Sequence, residues 1–202
     1  MECDRLASEE EIEKTRESLI NKGCEVYVVN NKQEAKELII KLIPKGEEIL
    51  NASSVTLDQI GITELIEKGD YYQAVKKRFI SIEDPVERTK ARRKNSYCNY
   101  VIGSVHALTM DGEFLVASRT GSQLAPYAYT ANNVILVIST KKIVKNIEEG
   151  IERIYKCAFP RENERALKAT GVPSEVNKIL IIKKEAQKGR IKVILVKENL
   201  GF

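Results

Sequence analysis

The segment from Val101 to Ser122 gathers the residues of this chain whose types and spacing best suit chemistry. It holds the only histidine, His106, and a few residues later Arg119 and the sequence Thr120-Gly121-Ser122. His106 is a candidate acid or base, because the unperturbed pKa of imidazole, about 6.5, lies close to neutral pH. Arg119 could clamp an oxyanion with two parallel hydrogen bonds. We therefore expect an anion-binding site in this segment.

Two loops of small residues, Asn51–Ser54 and Thr120–Gln123, each follow a predicted strand and open a predicted helix. Each can present unpaired backbone N–H groups to a phosphate or a carboxylate, although such a loop taken singly is more often a plain helix cap. Neither matches the lysine-containing phosphate loop or the three-glycine dinucleotide fingerprint, which disfavours ATPase activity and ordinary nicotinamide binding. The candidate substrate-binding residues are Ser53, Ser54, Arg119, Thr120, Gly121 and Ser122.

Composition and charge argue against a nucleic-acid partner, a membrane segment and a metal site. The 33 basic and 29 acidic residues leave a net charge of only +4, which does not require a nucleic-acid partner. No long apolar run or signal peptide is present, so we expect a cytoplasmic protein without a membrane segment. The four cysteines, Cys3, Cys24, Cys98 and Cys157, are scattered without a Cys-x-x-Cys pair, so we expect no metal or iron-sulfur site. Cys24 and Cys98 at predicted strand starts and Cys157 on the apolar face of a predicted helix are expected to be small buried side chains.

Strand-like and helix-like segments alternate along the chain, which predicts an α/β fold with a Rossmann-like, mainly parallel sheet and helices on both faces. The continuous apolar run Val134–Ile138 is typical of a parallel strand covered on both sides. Asp111-Gly112 indicates a hairpin turn. We expect one domain over residues 1–202, with an N-terminal helix at 6–21 packing across it.

Four further segments lead to specific predictions. Lys178–Lys183 and Arg190–Lys197 are strand-like and are joined by a charged turn containing Gly189, which predicts a C-terminal antiparallel strand pair or sheet edge. Thr56–Lys68 is helical in pattern, although Gly61 weakens that helix. The basic helix predicted at Asp84–Tyr97 is either a solvated outer face, which is favoured, or a binding patch.

Several motifs together resemble the lactate-utilisation domain (LUD) family. They are Asn51-Ala52-Ser53-Ser54-Val55-Thr56-Leu57, Gly103-Ser104-Val105-His106-Ala107-Leu108-Thr109 with Asp111-Gly112, Thr120-Gly121-Ser122-Gln123-Leu124, Lys142-Ile143-Val144 and Leu200-Gly201-Phe202. The resemblance implies the fold of the sugar-isomerase and CoA-transferase group. By that comparison, His106 takes the place of an acidic or polar catalytic residue, and Glu113 is a candidate acyl acceptor.

The resemblance further implies that this chain binds a small anionic metabolite and has an accessory or substrate-binding role in organic-acid (L-lactate) oxidation. Some relatives carry a late cysteine cluster, but Lys168–Lys178 contains no cysteine, so no iron-sulfur cluster or other cofactor is expected in this chain. Electrons would then pass through iron-sulfur oxidoreductase partner subunits, and a homodimer is left open. The alternatives are a sugar-phosphate isomerase-like or CoA-transferase-like enzyme and a regulatory or assembly module without chemistry. Whether the chain is an enzyme is left undecided.

Overall fold

The chain forms two stacked β-sheets with helices around them, and the computed structural model describes residues 1–202. The strands are β1 Glu25–Val29, β2 Glu48–Asn51, β3 Gln73–Ala74, β4 Cys98–Gly103, β5 Ala107–Thr109, β6 Phe114–Ser118, β7 Ala131–Ser139, β8 Ile143–Val144, β9 Lys178–Ile182 and β10 Ile191–Val196. The helices are α1 Glu9–Asn21, α2 Lys32–Leu42, α3 Val55–Ile60, α4 Ile62–Lys68, α5 Pro85–Lys94, α6 Ile147–Arg153 and α7 Phe159–Thr170. Shorter helical turns cover Val75–Arg78, Pro126–Thr130, Thr140–Lys142 and Ile154–Ala158.

The larger sheet has the strand order β1-β10-β7-β4-β2-β3, and every neighbouring pair is parallel. The predicted α/β fold with a mainly parallel sheet is therefore confirmed. Strand β7 lies between two parallel neighbours. Its residues Val134 and Leu136 enter the core on one face, while Ile135 and Val137 enter the core on the other. Burial on both faces explains why this strand is a continuous apolar run rather than an alternating one.

The two faces of the larger sheet are covered differently. Helices α2, α3 and α4 pack on one face through Ile39, Leu57 and Ile66. Helix α1 and the smaller sheet pack on the other face, where Leu19 and Phe114 join the core. The predicted helices on both faces are thus present, and the smaller sheet is a layer that the sequence pattern did not reveal.

The smaller sheet has the order β8-β5-β6-β9 and mixes parallel and antiparallel pairs. Strands β5 and β6 form the predicted hairpin at Asp111-Gly112, where Gly112 has φ +79°. That left-handed conformation is the reason for glycine at this turn. Helix α1 begins after Ser8, whose side chain forms a reciprocal capping box with Glu11.

The predicted C-terminal antiparallel strand pair is wrong. Strand β9 pairs antiparallel with β6 in the smaller sheet, whereas β10 inserts between β1 and β7 in the larger one. Burial explains the separation. Five of the six residues of β10 are buried, so this strand needs cover on both faces, while β9 is only half-buried.

Two smaller predictions also change. The helix predicted at Thr56–Lys68 is interrupted at Gly61, which adopts φ +76° and divides it into α3 and α4. Cys24 and Cys98 are buried thiols as predicted, but Cys3 and Cys157 form a disulfide, with 5.5 Å between their Cα atoms. No helix is both long and apolar enough to cross a membrane.

Candidate functional site

A cavity of about 490 Å³ opens at the carboxyl ends of strands β2 and β4. Strands β2 and β4 are neighbours in the larger sheet. The next strand of this sheet after β2 is β3, on one side, whereas the next one after β4 is β7, on the other side, so the chain leaves the two neighbouring strands in opposite directions. Parallel sheets bind ligands in the crevice at such a switch point. The lining includes Asn51 and Ser53 after β2, and Ser104 and His106 after β4. The topology therefore brings the two predicted segments together.

His106 lies on the short connection that leaves the larger sheet after β4 and enters the smaller sheet at β5. Its Nδ1 accepts a hydrogen bond from the Ala117 backbone N–H at 3.1 Å, which leaves the proton of the neutral ring on Nε2. Burial, with the nearby charges of Lys142 and Arg153, lowers the pKa of His106 to about 3. The ring is therefore neutral at physiological pH, and it suits hydrogen-bond donation better than proton abstraction.

Lys142 is the principal site residue that sequence reasoning missed. It lies in the turn between β7 and β8, is buried, and donates to Ser104 Oγ at 3.0 Å, Val105 O at 3.1 Å and Thr56 Oγ1 at 3.2 Å. No carboxylate pairs with it. Burial and the charges of Arg153 and Lys141 hold the pKa of Lys142 well below its usual range. The available signal was a pair of lysines directly after the buried strand β7.

Two buried polar side chains at the site have an atom without a partner. Asn51 lines the cavity and donates through Nδ2 to Glu67 at 2.8 Å, but its Oδ1 accepts no hydrogen bond. Arg153, behind His106, donates to the His106 carbonyl, while its Nη2 has no partner. Burial lowers the pKa of Arg153 to about 10, so the guanidinium stays charged at neutral pH. Unsatisfied buried groups are uncommon, and they often mark functional positions.

Close packing explains two of the glycines in the quoted motifs. A Cβ on Gly103 would overlap the hydroxyl of Tyr127, a buried ring that lines the cavity. A Cβ on Gly201 would overlap Thr56 Oγ1 and approach Lys142 Nζ within 3.2 Å. Phe202, which follows, also lines the cavity. The terminal Leu-Gly-Phe sequence therefore packs against the buried lysine.

The structure brings most of the predicted binding residues to this cavity. Those in its lining are Ser53, Ser54, Arg119, Thr120 and Ser122. Ser53 Oγ accepts a hydrogen bond from Lys76 at 3.4 Å, and Arg119 Nε lies 3.4 Å from the Glu175 carboxylate. Gly121 is not in the lining, and its N–H donates to Ser118 Oγ. The backbone N–H of Ser122 likewise donates to Thr120 Oγ1, so two of the backbone donors of this loop are already hydrogen-bonded to nearby side chains.

Glu113 is not among the lining residues either. It lies at the end of the β5–β6 turn, where its carboxylate accepts from Thr109 Oγ1 at 3.2 Å and lies 3.8 Å from Lys22 Nζ. The structure therefore places Glu113 with α1 and the hairpin rather than with His106.

Basic side chains outnumber acidic ones around the cavity. Three carboxylates line it, namely Asp58, Glu162 and Glu175. Six basic side chains line it, namely Lys76, Arg88, Arg92, Arg119, Lys142 and Arg165. Arg88 and Arg92 extend from α5 to the cavity lining and have no carboxylate partner, although no residue of this helix is buried. No group of three or more His, Cys, Asp and Glu residues is placed to hold a metal ion.

The fold and cavity define an α/β protein with a ligand-sized, basic cavity at the switch point of a parallel sheet. Residues 12–196 match the model of the LUD domain, and the chain therefore belongs to the LUD domain family. The resemblance drawn from the motifs is confirmed, and the chain is a lactate-utilisation-type domain protein.

A solved structure has the same fold. A DUF162 family protein from Deinococcus radiodurans superposes with a TM-score of 0.58 at 13% identity, covering 95% of this chain and 99% of that one. The eIF2B beta structure from Chaetomium thermophilum reaches a TM-score of only 0.36 at 14% identity, over 57% of this chain and 43% of that one, and no conclusion is drawn from it. No protein of curated function matches the sequence.

Proposed function

We propose that this LUD domain binds a small anionic metabolite of the 2-hydroxy acid class in the cavity at the carboxyl ends of β2 and β4, and that it acts as a substrate-binding or accessory component in organic-acid (L-lactate) oxidation. The observation that carries the proposal is the excess of basic side chains around a cavity at the switch point of the sheet. Family membership supports the metabolic setting. Iron-sulfur partner subunits would carry out the electron transfer.

Two features support an anion with a hydroxyl group. The buried, charged Arg153 lies behind His106, where it donates to the backbone oxygens of Lys141, His106 and Phe202 and its Nη2 has no partner, so it adds positive potential beside the cavity. Asn51 Oδ1 has no donor, and its identity is fixed because the amide nitrogen faces the Glu67 carboxylate. A ligand hydroxyl would supply the missing donor. A 2-hydroxy acid combines this hydroxyl with a carboxylate.

A thermal-shift panel of 2-hydroxy acids, phosphosugars, nucleotides and CoA thioesters tests the ligand class. A ligand at 100 times its dissociation constant adds about 2.7 kcal/mol to the unfolding free energy, which raises the Tm of a chain of this size by roughly 5–10 °C. We expect the 2-hydroxy acids to give the largest shift. No shift from any anion would refute the proposed function.

Arg119 provides a matched test of the lining. Arg119→Ala removes a cation from the cavity rim, so it should reduce the Tm shift that the ligand produces. Arg16→Ala is the control, because Arg16 is an exposed residue of α1 whose partner is Glu13. Equal ligand-induced Tm shifts in the two variants would show that Arg119 does not contribute to ligand binding.

A further inference from the structure

Ser104 and Lys142 lie on two different connections between the larger and smaller sheets, yet their side chains meet at the cavity. Ser104 directly follows β4, and Lys142 ends the turn that follows β7. The distance from Ser104 Oγ to Lys142 Nζ is 3.0 Å, and both residues line the cavity. Lys142 is buried, whereas Ser104 is partly accessible. The hydroxyl therefore has access to a ligand, and the amine is more deeply enclosed.

The surroundings of Lys142 favour a neutral amine. Its remaining partners, Thr56 Oγ1 and Val105 O, are uncharged, and the nearest charged groups that affect it are the cations Arg153 and Lys141. These cations and burial together hold the pKa of Lys142 well below its usual range. In the neutral form the two N–H groups of Lys142 would donate to Val105 O and Thr56 Oγ1, and the lone pair would face Ser104 Oγ, where it can accept the serine proton. His106, whose ring is protonated only near pH 3, is not a competing base at neutral pH.

We propose that Ser104 and Lys142 form a serine–lysine catalytic pair that transfers an acyl group from an ester or thioester bound in the cavity. Serine–lysine pairs are a known variant of the nucleophile-and-base arrangement. The inference rests on the proposed function only in taking the same cavity as the binding site. It differs from the acyl transfer first expected at Glu113, which the structure places outside the cavity lining.

The chemistry balances without a cofactor. Ser104 Oγ attacks the carbonyl carbon of the acyl group while its proton moves to Lys142 Nζ. The tetrahedral intermediate collapses, the bond to the alcohol or thiol leaving group breaks, and Lys142 returns its proton to that group. Water then attacks the acyl-serine, gives a proton to Lys142, and releases the acid as Ser104 Oγ regains a proton.

The test uses p-nitrophenyl acetate, an uncharged ester, so that acylation can be measured independently of anion binding. We expect p-nitrophenolate release together with acetylation at Ser104, located by peptide mass spectrometry. Ser104→Ala should abolish both signals. Lys142→Gln should slow acylation at least about 100-fold, the usual contribution of a general base. Ser81→Ala is the control, because Ser81 is an exposed serine outside the cavity lining, and it should react like the wild type.

Acetylation in Ser104→Ala at the wild-type rate, or acetylation only at other residues, would overturn the pair. If Lys142→Gln does not fold, a fluorophosphonate that labels activated serines is applied to the wild type instead. Labelling at Ser104 supports the proposal, and absence of labelling overturns it. Lactate binding that persists in Ser104→Ala would show that the proposed function survives even if the acyl chemistry fails.

Discussion

At the scale of single residues, the environment of His106 decides its chemistry. The sequence singled out His106 as the only side chain with an ordinary pKa near neutrality, and the structure does place it in the cavity lining. The burial that lowers its pKa to about 3 could not be predicted from the sequence. It depends on three-dimensional neighbours, Lys142 and Arg153, that are 36 and 47 residues away along the chain.

The depressed pKa of His106 predicts a specific acid sensitivity. Between pH 6.5 and about 3 the unfolded chain binds a proton at this position and the folded chain does not, so stability falls as the pH falls through this window. From pH 6.5 to 4.5 the loss due to His106 should be about 2 kcal/mol. His106→Asn, which keeps an acceptor for the Ala117 N–H, should remove that loss.

Urea denaturation of both proteins at the two pH values measures this difference. Because His106 is the only histidine, no other histidine contributes to the comparison. The same pH dependence in wild type and variant would show that the ring titrates normally in the folded protein.

Lys142 shows the limit of sequence reading at this scale. The chain has adjacent lysines at 141 and 142, and nothing in their order shows that both are buried. Lys141 is satisfied by Asp4, Asn199 and the Gly201 carbonyl, whereas Lys142 meets only uncharged oxygens. The difference arises from which segments fold against each lysine, including residues nearly 140 positions away.

At the scale of elements, patterns predicted strands and helices better than their pairing. The apolar run of β7 correctly predicted a strand inside a parallel sheet, because a continuous run of apolar residues indicates burial on both faces. The pattern of β10 carried the same signal, but its closeness in sequence to β9 favoured a hairpin. Strand β10 instead pairs with β1 and β7, which lie far away along the chain.

The change in unfolding free energy caused by Gly61→Ala should have opposite signs for the predicted continuous helix and for the two helices of the structure. In a continuous helix over Thr56–Lys68, Gly61→Ala would stabilise the protein by roughly 0.5–1 kcal/mol. In the structure Gly61 has φ +76° between α3 and α4, so alanine should instead destabilise it by about 1–2 kcal/mol. Urea denaturation decides between these results.

The control is Glu64→Ala, an exposed change on α4 that should shift the unfolding free energy by less than about 0.5 kcal/mol. A stabilised Gly61→Ala variant would contradict the break between the two helices.

At the scale of the whole molecule, the disulfide joins residues separated by 154 positions. Cys157 is buried as the sequence predicted, but its bond to Cys3 was not predicted, because no spacing motif reveals a pairing over such a distance. The bond ties the N-terminal segment to the helical turn after α6. In that segment Asp4 also pairs with Lys141 and Arg161, so the crosslink and the ion pairs hold one corner of the fold together.

Reduction of this disulfide should lower the unfolding free energy by about 2–5 kcal/mol, since it releases a long loop in the unfolded chain. Urea denaturation with and without a reductant measures the effect. The Cys157→Ala variant should be as destabilised as the reduced wild type and insensitive to the reductant. A wild type that unfolds identically in both conditions would show that the crosslink does not stabilise the fold.

The fold class could be predicted from the sequence, and so could the position of the Asn51–Ser54 loop, because it follows a parallel strand at whose carboxyl end ligands bind. The Thr120–Gln123 loop follows β6 of the smaller sheet, and its place at the cavity depends on how the two sheets stack, which the sequence pattern does not show. The charge balance of the cavity could not be predicted, because α5 is solvated as its pattern favoured and nothing in that pattern shows that Arg88 and Arg92 also line the cavity.

The central claim is that this cavity selects an anion, and the most direct measurement is isothermal titration of the wild type with L-lactate and with L-lactamide. The two ligands share the hydroxyl and the carbon skeleton, but L-lactamide has an uncharged amide where L-lactate has a carboxylate. We expect saturable binding of L-lactate and at least tenfold weaker binding of L-lactamide, a difference of about 1.4 kcal/mol or more. Equal affinity for the two ligands, or no binding of L-lactate, would contradict the account.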